Sequence, residues 1–545
     1  MLTRPSFPVG SAAMEQATMM DVPLTIDLVV DRAERWTSSI EVVSRRPDKS
    51  ISRTTYGKVA ARARRLARAL VGAGVQRGDR VATLMWNHSE HLECYFGIPL
   101  SGAVTHTLNL RLHPEEIAYI ANDAADRFII VDDCLLPLFE KVVAAGGKFE
   151  RVIVVGAPSA HEPYEAFLET ARPETALPKL AETDALSVCY TSGTTGRPKG
   201  VVYSHRSTIL HSIVEVIPDA LDLSRADTLL PVVPMFHVNA WGLPYACALV
   251  GAKIVFPGPH LDAVSLLDLF EGEKVTVGAG VPTIWLGIRE ALDANPGRWK
   301  LQPGLRMIVG GSAAPEQMIR DFDRLGMTLL HAWGMTETSP IGTISRVPPH
   351  LATADEDTRY RLRAKQGTPP PLVDIRVRND AGDVPADDKT SGELMIRGPW
   401  VAARYAGGHT PDRWTDDGWF RTGDVARVDE HGFVQLVDRV ADQIKSGGEW
   451  ISSQELENTL MGHPAVKEAA VVGVPHPKWS ERPLATVVLK PGATATADEL
   501  RDFLAPKFPK YWLPDAILFV DAIPRTSAGK FKKTEIRELY KKHYD

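Results

Sequence analysis

Between Ser52 and Asp133 the chain switches repeatedly between a helical apolar period and short apolar runs, and this alternation restricts its fold more than any other feature. In "YGKVAARARRLARALVGAG", Val59, Ala63, Leu66 and Leu70 fall on one helical face, with Arg62, Arg65 and Arg68 turned away. Those arginines read as a solvated face rather than a basic patch. "RVATLMW" is a short strand, "EHLECYFGIPLSG" a helix and "AVTHTLNL" a strand. "HPEEIAYIAND" is a helix with Pro114 in its first turn, and "RFIIVDD" is a strand. Strands separated by helices pair in parallel, because each crossover helix carries the chain back to the end of the sheet where the previous strand began. The expected class is α/β. The theme returns at "KIVFPG", "VTVGAG" and "LRMIVGG", which suits a pair of α/β subdomains, although no repeat is visible in the sequence itself.

At 545 residues the chain exceeds what one core holds, so at least two domains are expected. Near residue 390 the texture changes. "GELMIRG" and "GDVARVDEHGFVQLVD" read as antiparallel strands with a turn over Asp429–Gly432. "RVADQIKSGGEWIS" is polar and Gly-containing, and reads as a hinge. The next helix has Ser452 and Glu455 as a capping box and Ile451 stapled onto Leu456; Leu460 continues its face and Gly462 closes it. "EAAVVGVP" is a strand, and Thr496 with Glu499 forms a second capping box. We expect a large N-terminal domain of α/β subdomains with an additional β-rich part over residues 1–438. A hinge linker at 439–444 and a small mobile α+β lid at 445–545 complete the expected organisation.

Hydrophobic content of 44% and charged content of 24% fit a globular protein and exclude a disordered one. A net charge of -6 gives no reason to expect nucleic acid or an anionic membrane as the main partner. No run approaches the ~18 apolar residues of a membrane span, and "MLTRPSFPVGSAAMEQATMM" lacks a secretory apolar core. Cys94, Cys134, Cys189 and Cys247 are scattered without a CxxC pair, against a disulfide framework or a zinc site. The expected location is cytoplasmic, with no nucleic-acid partner and no integral membrane association.

"YTSGTTGRPKG", residues 190–200, gathers three Gly, four Ser or Thr side chains and two cations. Gly193 and Gly196 permit backbone N–H groups to converge on an anion, Thr191, Ser192, Thr194 and Thr195 add hydroxyl donors, and Lys199 adds a charge. A Walker A loop it is not: Lys199 follows Pro198, and Gly200 stands where Ser or Thr belongs. By composition alone, a phosphate cradle and a plain surface loop remain equally open.

Five further stretches follow in order: "HAWGMTETSP", "GELMIRGP", "WFRTGDVA", "DRVADQIKSGGEWIS" and "PRTSAGKF". Together with the loop they resemble the core motifs of the adenylate-forming superfamily, which includes acyl-CoA synthetases, nonribosomal peptide adenylation domains and beetle luciferases. The resemblance runs from residue 190 to 531, and the upstream region fits the family's N-terminal half. "PMFHVNAWGLPYACALVGAKIVFPGP" and "IKSGGEWISSQELEN" are most similar to bacterial medium- and long-chain fatty acyl-CoA synthetases and to ligases for thioether acids such as methylmercaptopropionate.

The implied activity is an acid–CoA ligase that uses ATP, magnesium and coenzyme A. A carboxylate, with a pKa near ~4, needs no general base to act as a nucleophile. It is a poor electrophile until attack on the α-phosphate of ATP makes a mixed anhydride, from which a thiol displaces AMP. Bringing an anion to a polyanion calls for cations and N–H donors aimed at the phosphates.

The resemblance distributes the roles as follows. Thr191 to Lys199, including Ser192, Gly193, Thr194 and Thr195, hold the β- and γ-phosphates. Thr336 meets the α-phosphate and Glu337 the magnesium. Gly310, Gly311 and Ser312 line the adenine slot, Trp333 and Gly334 flank the base, and Asp424 and Arg439 take the ribose. Lys530 bridges carboxylate and phosphate during adenylation. The stretch Lys445 to Trp450 supplies the thioester face, with Gly447 and Gly448 leaving a tunnel for pantetheine. His237, Val238 and Trp241 line the acyl pocket, with Trp241 as its gate. Without the motifs, Glu337 reads as a surface carboxylate, Lys530 as a solvated tail lysine beside Lys532 and Lys533, and Trp241 as a core aromatic. The basic C-terminal residues read as a solvated helix face rather than a contact for CoA.

Two positions depart from the family pattern. Ala441, followed by Asp442, stands where an Asp or Lys often serves as hinge, and Trp333 stands where Tyr is common, so the phenolic hydroxyl is lost. A medium or long aliphatic acid is the leading substrate class. A short, thioether or aryl acid is the near alternative, and a non-catalytic nucleotide-binding relative the distant one. The resemblance also admits a homodimer.

Overall fold

The computed structural model describes residues 18–191, 197–447, 449–525 and 531–544. The alternating region forms a seven-stranded sheet in the order Glu162–Pro163, Arg151–Val155, Asp126–Asp132, Arg80–Leu84, Val104–Thr107, Ala185–Tyr190, Gly200–Ser204. All neighbours are parallel except the last pair, which flanks the Gly/Thr-rich loop. Helix Tyr56–Gly72 buries Val59, Ala63, Leu66 and Leu70 completely, as its apolar period requires. Its arginines do not form a plain solvated face. Arg62 pairs with Glu93 at 2.6 Å and with Glu165 at 2.6 Å, because Glu93 is buried in the neighbouring helix and needs a counter-charge.

A second, eight-stranded sheet collects Ile341–Ile344, Thr328–Gly334, Arg306–Val309, Val277–Gly280, Thr228–Pro231, Lys253–Phe256, Glu41–Arg45 and Ile51–Thr55, in that order. The last two strands precede the alternating region in sequence yet belong to the other sheet. Thr228–Pro231 lies between Lys253–Phe256 and Val277–Gly280, parallel to both. The chain thus leaves this strand to one side and returns on the other, and the crevice at its carboxyl end is where open parallel sheets bind ligands. Asn87, beyond the end of strand Arg80–Leu84, ties the two sheets together there. Its amide donates to Pro231 O at 3.1 Å and Val233 O at 2.9 Å, and its Oδ1 accepts the Met235 N–H at 2.7 Å.

The β-rich part is a five-stranded antiparallel sheet with Gly392–Arg397, Phe420–Val428 and Val434–Arg439 at one side. Another sheet lies beyond residue 443, where Ile444–Ser446 and Val466–His476 flank Ser480–Leu489. Helix Ser453–Met461 begins as expected, with Ser452 accepting from Glu455 N at 3.1 Å, and Ile451, Leu456 and Leu460 sharing one core. The box is only half formed: the Glu455 carboxylate goes to Arg427 at 2.7 Å, a charged donor that outcompetes a backbone N–H. Gly462 caps the helix in a right-handed conformation, so no left-handed cap is used. The box of Thr496 and Glu499 is complete in both directions. No helix among the described residues is long and apolar enough to cross a membrane.

Lys533, expected on a solvated helix face, is only partly exposed: its ammonium reaches Ser453 Oγ at 2.6 Å and Glu457 Oε1 at 2.7 Å, while Ser453 donates its N–H and hydroxyl to Asp438. Two buried carboxyls thus share one ammonium, and burial lifts the Glu457 carboxyl from 4.5 to about 7 against the pull of Lys533. A carboxyl that holds its proton more tightly when folded stabilises most below its unfolded value, and that contribution disappears as pH rises through about 7. The urea midpoint of the C-terminal part should therefore fall between about pH 5 and pH 8. In Glu457→Gln the slope should flatten, read by urea titration with proteolysis of residues beyond 443; an equally steep slope refutes the assignment.

Candidate active site

Strand Thr328–Gly334 runs into a short turn at Thr336–Thr338, and the nucleotide-side candidates are built on this stretch. Trp333 is buried, its ring against Gly342 on the next strand, where an added Cβ would lie 2.4 Å from the indole. Its indole N–H donates to Asp424 Oδ2 at 3.1 Å. The Tyr-to-Trp departure therefore keeps a polar handle, N–H in place of O–H. Asp424 is buried and also pairs through Oδ1 with Arg439 Nε at 2.7 Å, directly across the strand pair. Thr336 and Glu337 are buried, and the Thr336 carbonyl accepts the Tyr203 hydroxyl at 2.7 Å. The Tyr405 hydroxyl donates to Glu337 Oε1, and the Lys199 ammonium stands 5.2 Å from the centre of the same tyrosine ring. Burial and the nearby Glu337 charge push the Tyr405 hydroxyl well above its ordinary pKa, so it remains a donor.

The acyl-side candidates lie at the crevice beyond strand Thr228–Pro231. Val238, Asn239, Ala240 and Trp241 all have positive φ, between 46° and 61°, and Gly242 follows at 81°. Four consecutive non-glycine residues in a left-handed turn cost about 1–2 kcal/mol each. Contacts hold the turn: Asn239 is buried, donates to Ser187 Oγ at 2.7 Å and accepts from Cys189 Sγ at 3.4 Å. The turn delivers the half-buried Trp241 to the adenine-side glycines, where a Cβ on Gly310 would lie 3.2 Å from its ring. Gly311 has a φ of 82°, and it and Ser312 are exposed beside this contact. The ends of the Gly/Thr-rich loop are pinched, with Thr191 N donating to Lys199 O at 2.9 Å and Lys199 N to Thr191 Oγ1 at 3.2 Å. Thr191 and His237 line one narrow recess.

Lys199, Gly310, Trp333, Thr336, Glu337, Asp424, Arg439 and Trp241 are therefore linked through shared contacts around the carboxyl end of the eight-stranded sheet. Lys445, Gly447 and Trp450 lie together elsewhere, on the exposed hairpin Ile444–Ser446/Glu449–Ile451, with the Lys445 ammonium 5.3 Å from the Trp450 ring centre. Ser192, Gly193, Thr194, Thr195, Gly448 and Lys530 lie outside the described residues.

A sequence model described as AMP-binding enzyme matches residues 29–406, and one described as AMP-binding enzyme C-terminal domain matches residues 455–530. The chain belongs to the AMP-binding enzyme family. It is 50% identical over 534 residues to a long-chain-fatty-acid–CoA ligase of Thermus thermophilus, covering 97% of this chain and 98% of that protein. It is 44% identical over 533 residues to a medium-chain-fatty-acid–CoA ligase of Ectopseudomonas oleovorans, covering 96% and 97%. The fold is similar to the crystal structure of the anthranilate CoA ligase AuaEII in complex with anthranoyl-AMP, with a TM-score of 0.83 and 25% identity, covering 95% of this chain and 98% of that one.

Two contributors to this candidate site escape a reading of the motifs. Tyr405 bridges Lys199 and Glu337 but sits in "RYAGG", which carries no signal of its own; Gly342 looks like a strand interruption until Trp333 is seen against it. The residues present also fit a magnesium ion. Among the described residues no group of three or more His, Cys, Asp or Glu side chains is arranged to hold a metal. One buried carboxylate such as Glu337 suits an ion that keeps several waters and leans on substrate phosphates. Replacing Gly342 should test the aromatic wall: Gly342→Ala displaces Trp333 and should weaken AMP binding about tenfold, ~1.4 kcal/mol, by calorimetry. Unchanged affinity would show that Trp333 does not border the nucleotide.

Proposed function

We propose that this AMP-binding enzyme is an acid–CoA ligase for medium or long aliphatic acids. It would convert the acid and ATP to an acyl-adenylate and pyrophosphate, then pass the acyl group to CoA and release AMP. One observation carries the reading: Trp241, at the end of the acyl-side turn, packs against Gly310 of the nucleotide-side crevice. A carboxylate held by the turn would stand beside the α-phosphate of a nucleotide in that crevice. The ligase names of the fatty-acid relatives support the activity and the aliphatic class.

In this reading Trp333 and the Gly310–Ser312 turn sandwich the adenine, and Asp424 with Arg439 takes the ribose hydroxyls. Thr336 donates to the α-phosphate, and Glu337, kept in place by Tyr405, holds the magnesium. When bound, that ion screens phosphate charge. Lys199 and the loop from Thr191 steady the departing pyrophosphate, which explains why the loop need not follow the Walker pattern: the bond broken lies at the α-phosphate. Lys530 carries the attack on that phosphorus by neutralising both anions. Lys445, Gly447, Gly448 and Trp450 then serve the thiol from the other face of the lid. The boundaries 1–438, 439–444 and 445–545 describe the moving bodies. Four free cysteines suit a reducing, cytoplasmic setting.

Acid-dependent exchange of labelled pyrophosphate into ATP should appear with octanoate to palmitate, and turnover with CoA should follow the same order. A panel that also holds acetate, benzoate, cinnamate and methylmercaptopropionate decides the substrate class, and no exchange with any acid refutes the ligase reading. Lys530→Ala should lower adenylation by about 10²–10³-fold while leaving thioester formation from supplied acyl-adenylate within about threefold, as for a group acting in only one step. Trp241→Ala should shift the chain-length optimum; an unchanged profile with reduced thermal stability would assign it to the core.

A further inference from the structure

One buried imidazole lies between the acyl-side turn and the nucleotide-side strand. His211, on helix His205–Glu215, is buried, and its Nε2 accepts the Ile341 N–H at 3.2 Å. Ile341 comes four residues after Glu337, and its carbonyl accepts the Trp400 indole N–H at 2.9 Å. The Trp400 ring stands edge-on to His211 with centres 5.9 Å apart. The other side of the imidazole meets the backbone of Gly242, directly after Trp241. A Cβ there would lie 2.7 Å from His211 Nδ1 and 3.2 Å from Glu215 Oε2, so no side chain fits between turn and ring.

The protonation state follows from these partners. Burial keeps the ring neutral, with its pKa lowered to about 3. Because Nε2 accepts a hydrogen bond, the proton sits on Nδ1, facing Glu215 Oε2 at 3.8 Å. Glu215 is completely buried, neither of its carboxyl oxygens has a hydrogen-bond partner among the described residues, and burial raises its pKa well above the ordinary value. Neither side chain has a task in the two chemical steps proposed above. A close-packed, neutral ring wedged between two backbone segments transmits displacement, since the interior leaves no free volume to absorb it.

We propose that His211 is a positioning residue that couples the acyl-side turn 238–242 to the nucleotide-side segment 336–341, so that acid and ATP strengthen each other's binding. The inference rests on the ligase reading, which supplies the two ligands. Coupling is reciprocal, and factors of about 5–150 are typical of such linkage.

The test uses the full-length enzyme, with decanoate and the unreactive α,β-methylene-ATP, and measures the dissociation constant of each ligand with and without the other. Wild type should show a coupling of about tenfold, within the usual range. His211→Leu, which removes the acceptor from Ile341, should bind each ligand alone within about threefold of wild type yet show coupling below about twofold. His211→Gln restores an acceptor, so it should keep more than half of the coupling free energy and stands in if the leucine variant fails to fold. A folded His211→Leu that couples as strongly as wild type, a folded His211→Gln that loses the coupling, or a wild type that exchanges pyrophosphate but shows no coupling, overturns this inference alone. Absence of acid-dependent exchange in wild type overturns the ligase reading and the inference together.

Discussion

The buried carboxylate of Asp424 joins the eight-stranded sheet to the β-rich sheet at the candidate site. Trp333 of the eight-stranded sheet donates to one oxygen, and Arg439 at the end of the β-rich sheet pairs with the other. The first contact sets the aromatic wall of the crevice, and the second fixes the start of the segment that leads into the C-terminal part. Removing a buried carboxylate from water is costly unless donors replace the lost hydration, and here an indole N–H and a guanidinium do so. The arrangement makes the geometry of three elements interdependent. A ligand that adds hydroxyl donors to Asp424 would enter an existing network rather than build one, because each carboxylate oxygen accepts more than one hydrogen bond.

A second constraint works against stability. The left-handed turn at 238–241 costs on the order of 4–8 kcal/mol in backbone strain, comparable to the whole net stability of a small domain. Asn239 anchors it from below through Ser187 and Cys189 of the seven-stranded sheet, and Asn87 of the same sheet pins the approach at Pro231, Val233 and Met235. One sheet therefore sustains the strain and the other receives the side chain it presents, Trp241. Strain of this kind gathers where a chain must present a group in one orientation, and the crevice at the switch of strand order is such a place.

The parts legible in the sequence are those whose signal is local. Each strand–helix unit between residues 80 and 132 carries its own period, and Val59 through Leu70 name their buried face unaided. The core motifs likewise name Trp333, Glu337, Asp424 and Arg439, which the fold brings around one crevice. Strands Glu41–Arg45 and Ile51–Thr55 were not legible, because the outer one is half exposed and their membership of the eight-stranded sheet rests on pairing with Lys253–Phe256, some 200 residues away. The turn at 238–241 was hidden for a different reason: Val, Ala and Trp disfavour a left-handed backbone, so nothing before Gly242 announces it. Tyr405 and His211 act only through residues distant in sequence, and Glu455 turned from its expected box because Arg427 arrived from another sheet.

The linker between the β-rich sheet and the C-terminal part makes contacts to both sides. Val440 N donates to Gly423 O at 2.9 Å, so this residue still belongs to the β-rich sheet. Ala441 O accepts from Arg537 at 3.1 Å, and Asp442 pairs with the same guanidinium, so both belong to the final helix. Asp442 N and Gln443 N nevertheless both donate to Arg439 O at 2.9 Å, so the contacts pass from one side to the other over residues 439–443 rather than at one peptide. The stretch is bracketed by contacts that cross it, since Asp438 lies upstream and Ser453 with Lys533 downstream. Breaking this cluster would expose the buried Asp438 carboxylate and the Lys533 ammonium to water and require both to be paired anew, whereas turning one peptide of the linker costs little, so the cluster rather than any one linker residue holds the two sides in register.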